Sequence, residues 1–74
     1  MSMDQPSLRL NDPEARREMA RLKEKHGLVF RPTPDGGEFS HTRHGRCLIH
    51  LANDREDLAM LLAWLRDKGV EPAA

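Results

Sequence analysis

Four residues of metal-binding or nucleophilic type recur at every third position in mid-chain: His41, His44, Cys47 and His50. Imidazole nitrogens and a thiolate are the donors of tetrahedral zinc sites, so the cluster first suggests a structural metal. A thiol beside an imidazole suggests a second chemistry, nucleophilic catalysis. Both require the side chains to share a face, and along a β-hairpin side chains alternate between faces. A two-residue turn at His44-Gly45 pairs Thr42 with Cys47 and His41 with Leu48, which turns Cys47 away from His41 and His50. A turn at Gly45-Arg46 pairs His41 with His50 and His44 with Cys47, again on opposite faces. Neither register gathers four ligands, and no metal is expected. Cys47 opens the run Cys47-Leu48-Ile49, which reads as a core strand with nothing nearby to form an oxyanion hole. Gly36-Gly37 belongs to a hairpin-like turn, not to a phosphate-binding loop. No catalytic residue, cofactor or small-molecule substrate is therefore assigned, and the chain is not expected to be an enzyme.

The same hairpin offers a binding chemistry. With the turn at His44-Gly45, one sheet face carries Phe39, His41, Arg43, Arg46, Leu48 and His50. Such a basic and aromatic strip suits an anionic partner, including nucleic acid met by a β-sheet. Protonation of His41 and His50, below about pH 6.5, would strengthen it. A different surface lies on the last helical segment, where Met60 and Trp64 are four residues apart and can touch. Both residue types are favoured at protein interfaces. That flank either seals the edge of the core or meets a partner or a second copy of the chain.

The elements that must position these residues follow from local signals. Asp12 can cap a first turn and Pro13 suits the first helical position, while Gly27 supplies a left-handed stop. Within residues 13–26, Ala15, Met19, Leu22 and His26 line one face. Leu28-Val29-Phe30-Arg31 reads as a strand, and the prolines at 32 and 34 make it an edge. Asp35-Gly36-Gly37 is a turn signal, with strands expected over residues 38–43 and 46–52. Asn53 caps a second helix, and Gly69 stops it. Its leucines Leu58, Leu61, Leu62 and Leu65 repeat at i, i+3, i+4, i+7 and form the expected core stripe. The order is αβββα: a single small α+β domain over residues 12–69. A three-stranded antiparallel sheet carries the C-terminal helix on one face. Residues 1–11 read as a flexible arm and residues 70–74 as a tail.

In element order, residues 12–69 resemble the double-stranded-RNA-binding domain. That family holds phosphates with a lysine cluster at the start of its last helix. Here the position reads Asn53-Asp54-Arg55-Glu56-Asp57, three acids and one base. Those acids repel phosphate, so the resemblance stops at topology.

The chain has 74 residues with 12 Lys+Arg against 12 Asp+Glu, so bulk charge marks no nucleic-acid tail and no membrane-surface peptide. One small domain fits that length, with little room for a deep cleft. The single cysteine forbids an internal disulfide, which points to the cytoplasm. The first six residues lack the charge and apolar run of a signal peptide, and the longest apolar run, residues 58–65, is too short to span a bilayer. These readings converge on a small cytoplasmic protein-interaction module, an accessory or regulatory factor such as phage and mobile elements use to modulate larger machines. It would act alone or as a dimer, and nucleic-acid binding through the Arg/His face is the alternative.

Overall fold

A computed structural model describes residues 11–73, so the expected N-terminal arm lies, but for Asn11, outside the described residues. The elements follow in the order α1 (Pro13–His26), β1 (Val29–Thr33), β2 (Gly36–His41), β3 (Gly45–Ile49) and α2 (Asp54–Lys68). The strands form an antiparallel sheet in the order β1-β2-β3, with both outer strands as edges. No helix among the described residues is long and apolar enough to cross a membrane.

Each helix begins and ends where local chemistry dictates. The Asp12 carboxylate accepts the amides of Glu14 and Ala15, and the Asn53 side chain accepts those of Arg55 and Glu56. Gly27 and Gly69 close the helices in the left-handed region, at φ 67° and 65°. In α1 the buried residues are Ala15, Met19, Leu22 and His26, the face that the spacing indicates.

In α2 the stripe is rotated from the expected one. Leu61 is fully buried, and Leu65 is buried with it, but Leu62 is 43% exposed. The inward positions near Leu61 are instead Asp54 and Asp57, both essentially inaccessible. At 100° per residue, these two aspartates with Leu61 and Leu65 centre the stripe about 45° closer to Trp64 than four leucines would. Leu58 and Trp64 then flank the core as partly buried neighbours. Leu62 therefore leaves the predicted core, and two acids expected at the surface enter it.

The sheet register sets which side chains face the helices. Phe30 pairs with Phe39, and Phe39 with Cys47. These residues and Ile49 form the inner face, with the Phe30 and Phe39 rings 5.1 Å apart and tilted. The Phe30 ring also lies over Gly37, where a Cβ would stand 2.5 Å from it. Met19, Leu22, Leu28, Leu61, Leu65 and Val70 complete the core. The chain after α2 packs back on the domain: Val70 is buried, and the Ala73 amide donates to the Lys25 carbonyl at 2.7 Å.

The helices lie side by side and run the same way. At their amino ends, the Asp12 amide and Arg16 Nε donate to Asp54 Oδ2 at 2.8 and 3.0 Å. Arg55 Nε donates to Asp12 Oδ2 at 2.6 Å. The Ala73-to-Lys25 bond ties the region just beyond α2 to the end of α1.

Candidate functional site

The β2–β3 connection departs from the expected hairpin. His41 pairs with Gly45, so residues 42–44 form a three-residue turn and Gly45 follows it at φ 88°. His41 Nδ1 accepts the Arg43 amide at 2.9 Å, a side-chain-to-backbone bond two residues on that holds the turn. Relative to either two-residue turn, the register shifts by an odd number of residues. Every β3 side chain thereby changes face.

That shift dismantles the Arg/His strip. Phe39 is core, and His41 shares its inner-facing parity. Arg46 and Leu48 lie on the outer face, Arg43 is in the turn, and His50 lies exposed beyond β3 with the outer parity. His41 and His50 therefore do not share a face. The outer face instead presents Val29, Arg31, Arg46 and Leu48, with Glu38 nearly buried between strands and Arg46 Nη1 3.4 Å from its carboxylate.

The His/Cys cluster divides in the same way. His41 and His44 lie against each other, with ring centroids 4.8 Å apart. With buried His26 and Glu71 they line a cavity of about 440 Å³ where both helices end. Cys47 is on the core side of β3, its sulfur 3.9 Å from the Met60 carbonyl. Burial, and secondarily the Asp57 carboxylate, push its thiol above the ordinary range, which keeps it protonated and poorly nucleophilic. Among the described residues, no three His, Cys, Asp or Glu side chains gather in a way that could hold a metal ion.

Met60 and Trp64 do come together with other groups. They line a shallow groove of about 640 Å³ that follows the β3 edge, with Cys47, Leu48 and Ala63 beside them and Arg46, Asp67 and Lys68 at one end. Both are partly buried, and Trp64 packs against the core. Its indole N–H is enclosed and has no acceptor among the described residues. Leu48 is 59% exposed on this groove. Sequence reasoning missed that it neighbours Met60 and Trp64, because this depends on the register. No protein-family model matches the chain, and no curated protein or solved structure matches it either.

Proposed function

We propose that the chain is a small non-enzymatic, cytoplasmic protein-interaction module, an accessory or regulatory factor of the kind phage and mobile elements use, that binds through the Met60/Trp64 flank of α2. The observation that carries this reading is the open groove between α2 and β3. Its walls are regular elements, and its floor is largely apolar: Cys47, Leu48, Met60, Ala63 and Trp64. A rigid helix face with an aromatic anchor is the usual frame of a binding hot spot. Affinity capture from native extract tests it, with and without nuclease. Protein partners should survive nuclease and be lost with Met60→Glu, a variant that circular dichroism should show folded. The nucleic-acid alternative keeps Arg31 and Arg46 on the outer face and Arg43 in the turn. Captured material that vanishes with nuclease, ignores Met60→Glu and is lost with Arg31→Glu/Arg46→Glu would replace the first reading with the second.

A further inference from the structure

We propose that the β3 edge seats a second copy of this chain, β3 pairing antiparallel with its counterpart about a twofold axis at Cys47 to join two three-stranded sheets into one of six strands. The proposal rests on reading the Met60/Trp64 flank as an interaction surface, and it names the occupant.

The two sheet edges are guarded differently. β1 contains Pro32, which removes a ladder donor, and Pro34 follows it directly. β3 has no proline and no lysine, and its single charge, Arg46, leans back on Glu38 of β2. Among the described residues, no backbone hydrogen bond ties β3 to anything beyond its own sheet. Folded chains usually blunt such an edge, because unpaired amides and carbonyls recruit another strand. With β1 blocked, head-to-tail stacking of β1 on β3 is disfavoured. What remains is β3 on β3, an isologous contact that closes as a dimer and cannot propagate into a fibre.

Side chains along the groove suit the same strand. α2 runs opposite to β3, since Asp57 meets the His50 and Leu51 amides while Cys47 lies against Met60. Asp67 thus stands toward the Arg46 end of the groove. A copy centred on Cys47 sets its Leu48 opposite Arg46 and its Arg46 opposite Leu48, so the two guanidinium groups do not face each other. Leu48, the most exposed large apolar residue among those described, is covered in the process.

Sedimentation equilibrium of the full chain, from micromolar to millimolar concentration, tests the proposal. A dimer should form and dissociate on dilution, with the emission of Trp64, the sole tryptophan, shifting in step. Leu48→Lys should weaken dimerisation at least about tenfold. Val29→Lys, at a similarly exposed site on the opposite edge, should leave it unchanged. Equal weakening by both variants would mean unspecific clustering of the outer sheet face and would overturn the proposal. So would a monomer at every concentration. Capture of a nuclease-resistant partner, lost with Met60→Glu, would in that case still uphold the interaction module.

Discussion

A carboxylate placed in a core must find its hydrogen bonds there, and Asp57 finds two. Its oxygens accept the amides of His50 at 3.2 Å and Leu51 at 3.0 Å. Leu51 has φ 60°, a left-handed conformation that costs a branched residue about 1 kcal/mol or more. The Asp57 clamp thus holds the chain through the bend between β3 and α2. Asp57→Ala should leave two part-buried amides without their carboxylate and cost about 1–3 kcal/mol, read by urea denaturation. A loss below about 0.5 kcal/mol would mean that water replaces the carboxylate freely. The residue was open to misreading because acids in a first helical turn ordinarily face solvent and favour the helix dipole. The available signal was spacing: Asp54, Asp57, Leu61 and Leu65 step by three, four and four, as a buried stripe does.

Among the elements, α1 was legible to the residue, because its cap, its stop and its four inward positions all carry unambiguous chemistry. The ends of α2 were equally clear, but its face was not. Hydrophobicity alone centres the stripe on the leucines, and the buried aspartates pull it aside. Leu61→Ala should therefore cost about 2–5 kcal/mol, and Leu62→Ala under about 1 kcal/mol, by thermal or urea unfolding. Equal costs would restore the leucine-centred face. The strands were legible as strands, and β1 as an edge. Their register was not, because a glycine after a histidine fits a two-residue turn as well as the end of a longer one. One choice of turn length decided whether His41, Arg46 and His50 formed a strip, and with it the whole candidate anion site. That Met60 and Trp64 lie together was legible because it depends only on helical geometry.

For the molecule as a whole, the joined helix ends make stability depend on acid pH. A hydrogen bond from Arg55, with the Ala15 amide next, holds the Asp12 carboxyl below its ordinary range. A depressed folded pKa contributes stability that is complete above the unfolded value, about 4, and is lost as pH falls through the folded one. Arg55→Ala should accordingly raise the acid-unfolding midpoint followed by circular dichroism, while Arg66→Ala, at the far end of α2, should not. An unmoved midpoint in Arg55→Ala would show that the pair is too exposed to matter. The parallel helices have an electrical consequence as well. Glu14, Asp54, Glu56 and Asp57 fall at one end of the pair, and Lys23, Lys25, Arg66 and Lys68 at the other. Formal net charge is zero, yet each end keeps an excess of one sign, offset only in part by Arg16, Arg17 and Arg55 at the amino end and by Glu24, Asp67 and Glu71 at the other. A neutral body of this kind feels no net pull in a uniform field but does feel a torque. Near a charged partner it rotates before it makes contact, one pole leading, and added salt would blur its angle of approach more than its attraction.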